Sequence, residues 1–218
     1  MSGKFTRNQL KAAAMIAMFC DHFAVVFLQG EPYLVMRMIG RIAFPIFAYF
    51  IVQGFLHTSD FRKYFMRIGI FALISEIPFD LVFSGKVLEL HSQNVMFTML
   101  IGLGMLFFLR KWGENGWARG LVFLAGCLCG AVLRVDYSWF GVAVVGLFYL
   151  LRNSWERYRL FVISVLFFSY GGIEWFGILG VLGIMLYREE REVLPLPKYL
   201  FYIFYPAHLL FLFFLNMI

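Results

Sequence analysis

The chain has 218 residues, 62% apolar and 15% charged, with 28 Phe and a net charge of +6, and its mean hydropathy is +0.80. Water-soluble domains run near ~45–50% apolar and ~25% charged, so the composition excludes an ordinary soluble fold. The basic excess is dispersed among loops without an RNA- or DNA-binding signature, which excludes a nucleic-acid partner.

Apolar runs of about fifteen to twenty residues recur from end to end, as lipid-embedded helices require. They predict an all-α polytopic bundle, a single membrane domain over 1–218, with nine spans near 10–29, 33–56, 65–83, 95–109, 120–133, 139–151, 160–173, 175–187 and 199–217. The first run carries Asp21 and His22 in its apolar core and no A-x-A-like cleavage site follows, so it reads as a membrane helix rather than a signal peptide. Segments 139–151, 160–173 and 175–187 are short for a span and must tilt or thin the bilayer.

Loop charges orient the scheme. Lys4, Arg7, Lys11, Arg62, Lys63, Arg67, Arg110, Lys111, Arg119, Arg152, Arg157, Arg159, Arg188, Arg191 and Lys198 fall on one side, against Lys86 and Arg134 on the other. Fifteen against two puts the N-terminus in the cytoplasm and, with nine spans, the C-terminus outside a multi-pass cell-membrane protein whose solvent is the lipid bilayer. Cys20, Cys127 and Cys129 are few and apolar-flanked, and C-L-C lacks zinc spacing, so neither a disulfide framework nor a metal is predicted. No internal repeat of the transporter kind is visible.

Ionisable residues deep in a span cost on the order of 2.5–3.5 kcal/mol, so each demands a partner, a cavity or a function. Asp21 and His22 fall near the midplane of the first span, and His208 reaches a similar depth in the last, beside Tyr205 and Pro206. Arg37 and Arg41 share one face of the second span at i,i+4 spacing, and Glu76 and Asp80 repeat that spacing with opposite charge in the third. A buried ion-pair network of these four is the purely structural expectation. Pro45, Pro78 and Pro206 each free the carbonyl four residues earlier, at Arg41, Ile74 and Tyr202, so kinks are expected at all three polar clusters. Short outer connections add Asn94 and Thr98, then Arg134, Asp136 and Tyr137, with Glu174 in a third where a solvated carboxylate is the ordinary reading. A neutral imidazole accepts a proton near physiological pH, which makes His22 the first candidate for a general base and His208 the second. The same His and carboxylate set would also serve a small-solute or proton-coupled transporter, and a non-catalytic membrane partner is a third reading.

Six stretches carry a resemblance: LKAAAMIAMFCDHFA (10–24), RMIGRIAFPIFAYFIVQGFLHT (37–58), FALISEIPFDLVF (71–83), NVMFTMLIG (94–102), DYSWFGV (136–142) and FYIFYPAHLL (201–210). In order and spacing they resemble the TraX family of membrane proteins, named for the conjugal-transfer protein that N-acetylates F-type pilin, and more distantly the transmembrane acyltransferases. The resemblance implies transfer of an acetyl group from cytoplasmic acetyl-CoA, as co-substrate, to an acceptor protein, peptide or sugar, with N- and O-transfer both open. For such a transfer the expected catalytic residues are His22, Asp21, Arg41 and His208, with Asp21 orienting an imidazole or holding a cationic acceptor and Arg41 polarising the carbonyl. Arg37, Glu76, Asp80, Asn94, Thr98, Asp136, Tyr137 and Tyr205 are the residues expected to bind the acceptor. His57, Arg62, Lys63 and Arg67 are the residues expected to meet the phosphates of coenzyme A. A covalent route through Cys20 is the minor alternative, since a thiolate is disfavoured in apolar surroundings.

Overall fold

The computed structural model describes residues 4–112, 115–188, 196–197 and 199–218. Arg191 and Lys198, counted above among the cytoplasmic charges, lie outside the described residues. Among the described residues the chain is helical, with two isolated parallel bridges, Phe5 to Tyr187 and Gln93 to Val135, as its extended pairing. The helices are α1 (Arg7–Phe27), α2 (Gly30–Gly40), α3 (Ala43–His57), α4 (Phe61–Phe83), α5 (Val95–Lys111), α6 (Gly116–Val132), α7 (Ser138–Leu150), α8 (Glu156–Tyr170), α9 (Gly177–Met185) and α10 (Leu200–Asn216), with a 3-10 segment at Gly172–Phe176.

The starts of several helices are written locally. Thr6 N–H donates to Gln9 Oε1 at 2.9 Å ahead of α1, Asp60 accepts Lys63 N–H at 3.0 Å, Asn94 accepts Met96 N–H at 2.9 Å, and Asn115 accepts Trp117 N–H at 3.0 Å. Each satisfies an amide that the first helical turn leaves without an intrahelical partner.

The span predicted over 33–56 is two helices. α2 ends at Gly40 and α3 begins at Ala43, because the Pro45 ring excludes the regular bond to the Arg41 carbonyl. The break is tight: Arg41 N–H still reaches Arg37 O and Ile42 N–H reaches Ile39 O, both at 3.2 Å. Pro78 and Pro206, by contrast, lie inside continuous helices. Arg7–Phe27 and Gly30–His57 are each long and apolar enough to cross a membrane. α7, α8 and α9, at 13, 15 and 9 residues, fall short of the ~20 that a perpendicular crossing takes.

The chain forms two compact units, Met1–Phe47 with Ser154–Ile218, and Ala48–Asn153. In the first, α1 packs against α2 and α10, and α8 against α9. Three glycines set the closest approaches: a Cβ on Gly40 would lie 2.3 Å from Asp21 Cβ, one on Gly177 would lie 2.3 Å from Phe167 Cε1, and one on Gly180 would lie 2.4 Å from Ile42 O. In the second, α5 packs against α4, α6 and α7, around a core that includes Leu103, Leu106, Phe140, Val144, Val145 and Phe148, all 0–1% exposed. The start of that unit is fixed to its end by edge-to-face rings, Tyr49 on Phe148 and Phe55 on Tyr149, with centroids 5.5 and 5.6 Å apart.

Candidate functional site

Consecutive residues on a helix point about 100° apart, and α1 uses that divergence at Asp21 and His22. Asp21 faces α2. Its Oδ2 accepts Arg37 Nη1 at 2.8 Å, and Arg41 Nη2 lies 2.5 Å from each carboxylate oxygen. The second nitrogen of the Arg41 fork, Nη1, donates to Glu174 Oε1 at 2.8 Å. Asp21 is 5% and Arg41 6% exposed, so the chain of alternating charge Arg37–Asp21–Arg41–Glu174 is buried at its centre, with Arg37 and Glu174 partly exposed at its ends. Two cations and two anions cancel, which is what a low-dielectric interior requires of charges it holds.

Glu174, for which the sequence suggests a solvated loop carboxylate, is instead held against Arg41 with its side chain 17% exposed. It sits in the 3-10 segment just after Gly171 and Gly172, whose φ values of 83 and 61 suit residues without a Cβ, and this turn returns the carboxylate to Arg41. The signal was present in the sequence: a lone carboxylate after Gly-Gly in an otherwise apolar hairpin. The i,i+4 carboxylates of α4 were expected to take the arginines; instead Asp21 and Glu174 take them.

His22 faces α10. His208 Nδ1 lies 2.7 Å from the Phe204 carbonyl oxygen, and His22 Nδ1 lies 2.7 Å from His208 Nε2. The proton positions follow from partner chemistry, because a carbonyl only accepts. His208 therefore donates from Nδ1, its neutral ring accepts at Nε2, and His22 donates from Nδ1. That leaves Nε2 as the unprotonated nitrogen of a neutral His22. The ring planes differ by 6° with centroids 4.9 Å apart, a separation equal to the hydrogen bond plus two ring radii, so the imidazoles meet edge to edge in one plane. Tyr205, 2% exposed, packs against both rings with centroids 6.1 and 5.7 Å away, and Phe204 stacks on His208 at 4.7 Å. Asp21 is thus committed to the arginines, and His22 pairs with His208.

The remaining predicted site residues lie in the unit Ala48–Asn153. Glu76 Oε2 accepts Asn94 N–H at 3.2 Å and the Asn94 amide, whose Nδ2 also donates to Ala72 O at 2.9 Å. Asp80 Oδ2 accepts Glu89 N–H at 2.7 Å. Thr98 donates its hydroxyl to Asp136 O, and Asp136 Oδ1 accepts Tyr137 N–H at 3.0 Å. These contacts tie α4, α5 and the α6–α7 turn together at one end. At the other, His57 Nδ1 donates to Gln53 O at 2.8 Å, Lys63 Nζ lies 3.2 Å from Asp60 Oδ2, Arg67 lies over the Tyr64 ring at 5.1 Å, and Arg62 is exposed. Among the described residues no group of three His, Cys, Asp or Glu is placed to hold a metal ion.

The family model described as TraX protein matches residues 6–216. The probable fimbrial assembly protein FimC, serogroup H1, of Dichelobacter nodosus is 28% identical over 94% of this chain and 93% of its own length. The uncharacterized protein RP591 of Rickettsia prowazekii (strain Madrid E) is 25% identical over 75% of this chain and 62% of its own length. No solved structure matches the chain.

Proposed function

The chain belongs to the TraX family, and on that premise we propose that it is a multi-pass membrane acetyltransferase of the cell membrane, moving an acetyl group from acetyl-CoA to an acceptor protein, peptide or sugar. The observation that carries the reading is the His22–His208 hydrogen bond with its single neutral tautomer arrangement. It aims an unprotonated Nε2 away from a partner that stabilises the imidazolium once a proton arrives, as a general base requires. His22 takes the proton from the acceptor's attacking nitrogen or oxygen, that atom bonds to the thioester carbon, the carbon–sulfur bond breaks, and the departing thiolate receives the proton. His208 fixes the tautomer and plane of His22. The charge chain of Arg37, Asp21, Arg41 and Glu174 holds α1, α2 and the 3-10 segment in register. With both Nη atoms engaged by carboxylates, Arg41 suits this holding role better than polarising a carbonyl. Tyr205 closes one side of the imidazole pair. In the second unit, Glu76, Asp80, Asn94, Thr98, Asp136 and Tyr137 are the acceptor-side candidates. Coenzyme A phosphates suit the basic start of α4, where Arg62, Lys63 and Arg67 follow His57 at the end of α3.

The test is washed membranes or purified protein supplied with labelled acetyl-CoA. Label transferred to a protein, peptide or sugar, dependent on this chain, supports the reading. Solute uptake without acetyl transfer supports a transporter instead.

A further inference from the structure

Helix α6 ends at Val132, and the turn that follows has an unusual backbone. Arg134, Tyr137 and Ser138 have φ values of 51, 62 and 48, in the left-handed region that residues with a Cβ seldom enter. The turn is stitched to the start of α5: Gln93 N–H donates to Arg134 O at 3.1 Å and Asp136 N–H donates to Gln93 O at 2.8 Å. Beside this stitch lies a cleft of about 490 Å³ lined by Leu90, Gln93, Phe97, Val132, Leu133 and Arg134.

Two observations give the cleft a chemical preference. Arg134 is its cation, and among the described residues no carboxylate pairs with it. Lys86 is held by Glu89 at 2.5 Å, and Asp136, two residues from Arg134, turns its carboxylate to Tyr137 N–H at 3.0 Å. The second is an apolar stripe. Leu121, Leu124, Leu128 and Val132 lie on one face of α6, each 62–69% exposed, and the stripe runs into the cleft wall at Val132 and Leu133. A cation at the head of an exposed hydrocarbon track matches a phosphate attached to a chain.

We propose that this cleft binds one phosphate-bearing amphiphile, its phosphate on Arg134 beside Gln93 and its hydrocarbon along Leu133, Val132 and Leu128. The site is independent of the acetyl-transfer reading, and its test needs no turnover. A single basic side chain near a membrane surface contributes about fivefold in affinity for an anionic lipid, so the chain has to supply the rest of the retention.

The experiment is native mass spectrometry of the full chain in a neutral detergent, titrated separately with phosphatidylglycerol and with glycerol 3-phosphate. One phosphatidylglycerol should be retained saturably, and glycerol 3-phosphate should not. Arg134→Gln and Arg134→Gly should each weaken retention about fivefold or more, and Arg134→Lys should keep most of it. The glycine variant removes the cation while suiting the left-handed backbone, so a loss shared by both variants does not come from strain; if the glutamine variant fails to fold, the glycine variant decides. Unchanged phosphatidylglycerol retention in a folded Gln or Gly variant overturns the site. Glycerol 3-phosphate binding as tightly as the lipid overturns the amphiphile and leaves a free-phosphate site.

Discussion

Arg41 Nη1 and Glu174 Oε1 lie 2.8 Å apart across 133 residues of sequence, and with Asp21 on the other side of the same guanidinium the pair fixes the 3-10 segment to the break between α2 and α3. Removing the cation leaves two carboxylates with one arginine between them. Arg41→Ala should therefore cost roughly 3–5 kcal/mol, the scale for breaking a buried pair, read as lost abundance and a lower unfolding temperature in detergent. Arg41→Lys should recover part of the loss, because a point charge cannot serve both carboxylates as the planar fork does. Glu174→Gln, which keeps an acceptor oxygen, should be the mildest of the three. Equal stability of Arg41→Ala and the parent would show that the charge chain holds nothing.

Gly40 tests the same junction sterically. A methyl there would lie 2.3 Å from both Cβ and Oδ1 of Asp21, so Gly40→Ala must push α1 and α2 apart at the point where the arginines bind. A loss of about 1–3 kcal/mol is expected, typical of overpacking. Gly120→Ala, where nothing lies within 4 Å of the added carbon, is the control and should be neutral or slightly stabilising.

The loop after α4 gives a pH signature. Hydrogen bonds from Lys86 and then His91 hold the Glu89 carboxyl down at about 2. A depressed carboxylate pKa orders the loop above the unfolded value of ~4.3 and loses that contribution as pH falls toward the folded value. A spin label at exposed Val87, in a background without the native cysteines, should stay equally immobile from pH 7 to about 4.3 and loosen between there and about 2. Glu89→Gln should be loose throughout, and a parent loop that loosens near pH 6 would contradict the pairing.

Topology is tested by reporter tags. The charge asymmetry predicts cytoplasm for tags after Met1 and near Trp112 and the outside for a tag after Ile218. A cytoplasmic C-terminus would mean that one of the short segments in 139–187 does not cross.

Periodicity and spacing made much of the fold legible: the helical apolar runs and the shared face of Arg37 and Arg41 follow from local rules. What spacing cannot give is the rotation of one helix against another. The i,i+4 carboxylates Glu76 and Asp80 looked like natural partners for the arginines, yet Glu76 bonds to Asn94 and Asp80 to the Glu89 amide. The Pro45 break, foreseen only as a kink, splits the second span into two helices. Glu174 was hidden because its position depends on left-handed glycines that fold a short hairpin back onto Arg41. His22 and His208 could be placed at one depth from the sequence, whereas their common plane and the proton order along the pair needed the Phe204 carbonyl.

The most direct measurement of the account is acetyl transfer by His22→Ala, normalised to folded abundance and taken at saturating acetyl-CoA, beside His208→Ala and His208→Gln. Losing the base should reduce transfer by about 10²-fold or more. His208→Gln, whose amide oxygen can accept from His22 Nδ1, should retain more activity than His208→Ala. Near-normal transfer by folded His22→Ala, with His208→Ala impaired, would make His208 the base, and near-normal transfer by both would remove histidine from the chemistry and turn attention to Cys20 or a carboxylate.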